Sequence, residues 1–170
     1  MTVIRKAEIG DALRLAQLQE KTFRDTFEAD NAAEDMALHC KNSYSAALQE
    51  QEIRNPDLMT LVCADGPQLL GFVQVRRGVA PDCLEADHPA EILRLYVDKP
   101  WHGRGLAQQL MEQALEQARL MGAAQIWLGV WERNPRAISF YKKYEFVEVG
   151  EHVFMVGSDA QRDVIMTRAL

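Results

Sequence analysis

Between Ile92 and Ala118 an apolar strand, a proline turn, two glycines and a long amphipathic helix follow one another without interruption. The run Ile92-Leu93-Arg94-Leu95-Tyr96-Val97 passes through Pro100 into Gly103-Arg104-Gly105, and Leu106, Leu110, Ala114, Leu115 and Ala118 then recur at helical spacing. Gln109, Glu112, Gln113, Glu116 and Gln117 take the opposite, wet face. Such a unit points free backbone N–H groups and the positive end of a helix dipole at one spot, which suits a phosphate. A side chain at Gly103 or Gly105 would hold an anion away from those amides. The chain is therefore expected to bind a ligand carrying a pyrophosphate.

The flanking sequence supplies a sheet for this unit. Residues 3–7 read as a strand, and Asp11 opens a helix carrying Leu13, Leu15, Ala16 and Leu18, with Phe23 and Phe27 following. Residues 33–54 read as helical with a break near Asn42-Ser43, stopped by Asn55-Pro56. Residues 58–64 and 69–77 form a hairpin across Asp65-Gly66-Pro67-Gln68, and 78–90 is a loop. Residues 126–130 are continuously apolar, as in a central strand covered on both faces. Asn134 and Pro135 open a short helix running to Tyr144, and 147–156 and 163–167 close the chain as strands. Strand–helix alternation is confined to the middle, so the class is α+β with a mixed sheet. The 170 residues suit one domain, 1–170.

A formal net charge of −6 argues against a nucleic-acid binder and leaves cationic substrates open. Two stretches are acidic and free of Lys and Arg: 25–35, and the loop 78–90 with Asp82, Glu85 and Asp87. Cys40, Cys63 and Cys83 lack paired spacing, which fits free thiols in a reducing cytoplasm. Residues 1–6 lack the apolar core of a secretion signal, and no apolar run approaches the ~20 residues of a membrane span. A cytoplasmic protein without a membrane partner is expected. His39, His88 and His152 are isolated and no pair has metal-ligand spacing, so no metal is expected and each reads as a surface or turn residue.

Two nucleotide motifs fail. A phosphate loop ending in Gly-Lys-Ser/Thr is absent, and a dinucleotide fingerprint would need a small residue at Gln108 and an acid where Gly129 stands. The arrangement instead resembles the GNAT superfamily of N-acetyltransferases. Its central signature, Gln/Arg-x-x-Gly-x-Gly/Ala, is matched by His102-Gly103-Arg104-Gly105-Leu106-Ala107. Its second, Asn-x-x-Ala-x-x-Phe/Leu-Tyr followed by Gly-Phe, is matched by Asn134-Pro135-Arg136-Ala137-Ile138-Ser139-Phe140-Tyr141, with Glu145-Phe146 after it. His102 departs from the usual Gln or Arg, at small cost because amides do the binding. Glu145 stands where the family has Gly; if that position needs φ > 0, strain costs on the order of 1 kcal/mol.

The resemblance implies a central, mostly antiparallel sheet of about seven strands, splayed at the cofactor site and flanked by about four helices. It implies acetyl-CoA as co-substrate, with pyrophosphate on the amides of His102, Gly103, Arg104, Gly105, Leu106 and Ala107. Leu95, Tyr96 and Val97 would bond the pantetheine arm through their backbone, one amide near Val97 polarising the thioester carbonyl. Asn134 would bond pantetheine or substrate, and Lys143 joins the cofactor-binding set. Tyr141 is expected to protonate the leaving thiolate. From periodicity alone it would pack with Phe140 and Tyr144. Glu91 is the carboxylate chosen to take the proton from the amine; otherwise it is an exposed strand end.

The partner is expected to be a small-molecule primary amine, the enzyme a monomer or homodimer. Phe23-Arg24-Asp25-Thr26-Phe27, Trp127-Leu128-Gly129-Val130-Trp131-Glu132 and the run 157–163 are similar to bacterial PaiA-type polyamine acetyltransferases, which implies spermidine or spermine as acceptor. The acidic stretches fit a cationic acceptor and fit solvated surface equally. A non-catalytic acyl-CoA sensor of the same fold is the alternative; intact Asn134 and Tyr141 favour the enzyme.

Overall fold

The computed structural model describes residues 1–170. Its strands are β1 (Thr2–Lys6), β2 (Leu58–Asp65), β3 (Gln68–Arg77), β4 (Ala90–Val97), β5 (Gln125–Trp131), β6 (Val147–Val156) and β7 (Asp159–Ala169). They form one sheet in the order β1-β2-β3-β4-β5-β7-β6. The helices are α1 (Ala12–Phe27), α2 (Ala33–Ser43), α3 (Ala46–Arg54), α4 (Leu106–Leu120) and α5 (Pro135–Lys143). The count exceeds the expected four because 33–54 divides: the Ser45 hydroxyl accepts from Leu48 N–H at 3.2 Å and starts a new helix.

Alternation along the strands gives the sheet two buried faces. Leu61 and Cys63 of β2 join the core under α4, whereas Val62 and Ala64 pack with Leu15 and Leu18 of α1. α4 buries Leu106, Leu110, Met111, Ala114, Leu115 and Ala118. Full burial of each leucine contributes ~1.5–3 kcal/mol, so this helix and its N-terminus are firmly seated. No helix is long and apolar enough to cross a membrane.

Every strand pairing is antiparallel except β4 with β5, which share only Ala90 opposite Ile126 and Glu91 opposite Trp127. On its other edge, Ile92 opposes Val75 of β3 and Arg94 opposes Gln74, leaving Leu93 as the extra residue of a bulge. A bulge bends its strand and increases local twist. Immediately beyond it β4 parts from β5, and the β5-facing edge from Ile92 to Val97 has no strand partner.

The turn after α5 settles the Glu145 question. Its φ is +64°, so the position does demand the left-handed region. Phe146 N–H returns to the Tyr141 carbonyl at 3.2 Å, and Arg168 donates to the Tyr144 carbonyl at 2.7 Å, fixing the turn despite the strain. Replacing Glu145 by Gly should raise stability by about 1 kcal/mol in urea unfolding. A loss of stability would show that the Glu145 side chain outweighs the backbone strain.

Candidate active site

Two cavities meet where β4 and β5 separate. The larger, about 690 Å³, lies between β4, the loop 98–105, the start of α4, and α5. The smaller, about 310 Å³, lies on the side of α1, α2, β6 and β7. Leu95, Tyr96, Trp131, Asn134, Ala137 and Tyr141 line both, so the strand gap connects them.

At one end of the larger cavity, α4 begins with its amides free. Gly103 and Gly105 have φ of +75° and +79°, which turn the chain sharply into the helix. The first helical bond runs from Gln109 N–H to the Gly105 carbonyl at 3.1 Å, and the N–H groups of 103–108 meet no protein acceptor. Around the cavity stand Lys99, Arg133, Arg136 and Lys143. Free amides at a helix N-terminus, with Lys and Arg around them, are suited to hold an anion. A Cβ built on Gly103 meets nothing within 4 Å, so open space faces the loop.

His102 braces the loop. Its Nε2 lies 2.8 Å from the Val97 carbonyl and its Nδ1 2.9 Å from an Arg136 nitrogen. Nε2 must therefore carry the hydrogen while Nδ1 accepts from the guanidinium. Lys21 adds a second tie from α1, reaching Asp98 at 2.5 Å and Asp25 at 2.9 Å. The Arg104 guanidinium stacks 4.7 Å above the Trp101 ring and does not line the cavity. Of the residues picked out for cofactor binding, Leu95, Tyr96, Val97, His102, Gly103, Gly105, Leu106, Ala107, Asn134 and Lys143 all line the cavity. Asn134 also caps α5, its Oδ1 accepting from Ala137 N–H at 3.1 Å.

Tyr141 stands at the junction, 8% exposed and packed between Phe140 and Phe146. Burial pushes its phenol well above the ordinary value, which keeps the hydroxyl as a proton donor. Tyr96 is pushed up to about 12 by burial, partly offset by Arg94.

The smaller cavity is walled by Phe23, Phe27, Tyr44, Trp131 and Phe154. Glu91 lines it but is no exposed strand end: it is 6% exposed, and Arg76 donates to its Oε2 at 2.9 and 2.5 Å. Burial raises its carboxyl above the usual range even against Arg76. Arg94 also lines this cavity, bonded to both Glu52 oxygens (3.0 and 2.9 Å) and to Gln74 at 2.6 Å. His39, stacked on Phe23, lies in the wall rather than at the surface or turn position expected of it, whereas His152 lines the cavity while its side chain stays 38% exposed. Asp163, opposite His152 in the β6–β7 register, was not singled out from the sequence. The turn at Gly157-Ser158 sets that register, so the pairing was readable once the hairpin was recognised. Of the acidic stretches, 25–35 contributes Asp25 and Asp30 to the larger cavity, whereas none of Asp82, Glu85 and Asp87 lines either one.

Comparison with known proteins agrees with this architecture. The family model described as Acetyltransferase (GNAT) family matches residues 15–146. An uncharacterized N-acetyltransferase of Lactobacillus delbrueckii subsp. lactis is 31% identical over 100% of this chain and 99% of its own length. The L-amino acid N-acetyltransferase AaaT of Escherichia coli is 29% identical, covering 85% of this chain and 82% of its own. The crystal structure of the PaiA N-acetyltransferase from Thermoplasma acidophilum in complex with coenzyme A superposes with a TM-score of 0.78 at 23% identity, covering 100% of this chain and 99% of that one.

Spectrophotometric titration of the parent against Tyr141→Phe should show no Tyr141 ionisation near the ordinary phenol value of ~10. A step there would overturn the buried, protonated phenol described above.

Proposed function

The chain belongs to the acetyltransferase (GNAT) family and is an acyltransferase, and from that premise we propose that it carries acetyl from acetyl-CoA to a primary amine, the acceptor being a polyamine such as spermidine or spermine. The observation that carries this reading is the set of unengaged amides from Gly103 to Gln108 opening onto the strand gap that holds Tyr141.

The residues fit the co-substrate. Amides at the start of α4 would hold the diphosphate with Lys143 nearby, and the unpaired edge of β4 at Leu95–Val97 would bond the pantetheine amides. Bound there, acetyl-CoA supplies an acyl thioester. A main-chain N–H near Val97 would polarise its carbonyl, preorganised because the strand is fixed on its β3 side. Tyr141 would protonate the departing sulfur, and a carboxylate of the smaller cavity would take the amine's proton. Glu91 is the carboxylate that the sequence singles out for this, with Oε2 held by Arg76.

Charge favours a cationic acceptor. Arg94, the one guanidinium lining the smaller cavity, is engaged by Glu52 and Gln74, which leaves little to hold the carboxylate of an amino acid. Asp163 in that cavity and Asp30 at the rim of the larger one have no ion-pair partner among Lys and Arg.

Gly105→Ala should weaken coenzyme A binding in calorimetry about tenfold or more, since the added carbon strains a positive φ and crowds the amides. Unchanged affinity would remove the amide cradle from the reading. Tyr141→Phe should lower turnover by tenfold or more with coenzyme A affinity unaltered. Thiol release should be fastest with spermidine or spermine in a panel that includes L-amino acids, aminoglycosides and peptides. Turnover confined to amino acids would overturn the polyamine acceptor, and no release with any amine despite tight coenzyme A binding would support a sensor.

A further inference from the structure

The smaller cavity holds a second carboxylate in a setting unlike that of Glu91. The Asp163 side chain is only 10% exposed, and its one ion-pair contact is His152 Nε2, 3.6 Å from Oδ2. Largely buried yet lining the cavity, the carboxylate is open to a ligand there. His152 is 38% exposed at its side chain, so the imidazole spans from this carboxylate to solvent.

Gly129 makes this arrangement possible. It lies on β5, the strand between β4 and β7, and a Cβ there would stand 3.0 Å from His152 Nε2 and 3.2 Å from Asp163 Oδ2. Without a side chain at that point, the pair from β6 and β7 leans across β5 towards the gap. Glu91 and Tyr96 of β4 line the same cavity as the pair.

We propose that Asp163, paired with His152, accepts the proton of the acceptor ammonium and that His152 delivers it to solvent. The inference rests on the acetyl-transfer reading above and names the base within it. The ammonium gives one proton to the Asp163 carboxylate. The freed nitrogen lone pair attacks the thioester carbon, the C–N bond forms as the C–S bond breaks, and Tyr141 supplies the proton that the sulfur gains. The nitrogen sheds its second proton to solvent as the amide forms, Tyr141 recovers one from solvent, and the one on Asp163 leaves through His152, so a single proton is released per acetyl transferred. Glu91 suits this work less well, because two bonds from Arg76 occupy its Oε2 and leave that oxygen less free to take a proton from a substrate.

The charged and titratable groups around the pair are Glu91, Arg94 and Tyr96 from β4, Arg76 from β3 through its bond to Glu91, His39 from α2, Tyr44 after it, and Tyr141 from α5. Burial raises Asp163 to about 6 against the lowering effect of His152. A base works only when deprotonated, so turnover at saturating amine should fall as pH drops through about 6. Asp163→Asn should lose at least ~100-fold in kcat together with that acid limb while coenzyme A affinity, a check on folding, stays put. Glu91→Gln should retain the limb. If Glu91→Gln abolishes the limb and Asp163→Asn keeps it, the proposal is overturned. Carboxyl ¹³C NMR reads the pair without turnover: Asp163 should titrate well above the ordinary aspartate value of ~3.9, and higher still in His152→Gln. Titration in the ordinary range overturns the proposal even if no amine is found, whereas absence of turnover with an elevated Asp163 faults the acetyl-transfer reading alone.

Discussion

The parting of β4 from β5 is the constraint on which the site depends. Two opposed residue pairs hold the only parallel contact in the sheet, and the unmatched Leu93 bends β4 away just past them. Closing the gap would satisfy the backbone groups of residues 92–97 and abolish both cavities. Buried strand edges left open are costly unless a ligand or water completes them. The fold therefore carries an unsatisfied edge at its centre, made tolerable by firm strand and helix packing on either side. α4 packs against β3 and β4, and β7 pairs with β5 along seven residues.

Electrostatics grade across that gap. On one side the amides of α4 gather with Lys99, Arg133, Arg136 and Lys143; on the other, Glu91 and Asp163 sit among aromatic rings. Tyr141 occupies the boundary, its hydroxyl kept neutral by burial. A neutral phenol thus stands between a cavity rich in free amides and cations and one that holds two buried carboxylates. The bracing of the loop is equally specific. His102 replaces the residue more usual in the family, yet joins the Val97 carbonyl to Arg136 and so links β4, the loop and α5.

Much of this was legible in the sequence because it is local. Helical spacing from Leu106 to Ala118, the paired glycines and the Asn134-Pro135 cap each lie within a short window, and the structure places them as read. The division of 33–54 was half legible, since the break was marked but the Ser45 cap that makes two helices was not. What escaped depends on partners far apart along the chain. Glu91 looked like a strand end because nothing in its vicinity announces Arg76 across the hairpin. His152 looked isolated because Asp163 lies eleven residues away, and their convergence on Gly129 requires the order β5-β7-β6, which no local pattern states.

The wall shared by the two cavities has a consequence for ligand design. Leu95, Tyr96, Trp131, Asn134, Ala137 and Tyr141 border both chambers, so no partition separates their occupants. A single molecule joining a diphosphate-bearing half to a cationic half through a short tether would meet both chambers at once. Its second half would then bind at a high effective concentration, and its affinity could exceed that of either fragment by orders of magnitude, ~10²–10⁴-fold for a well-matched tether.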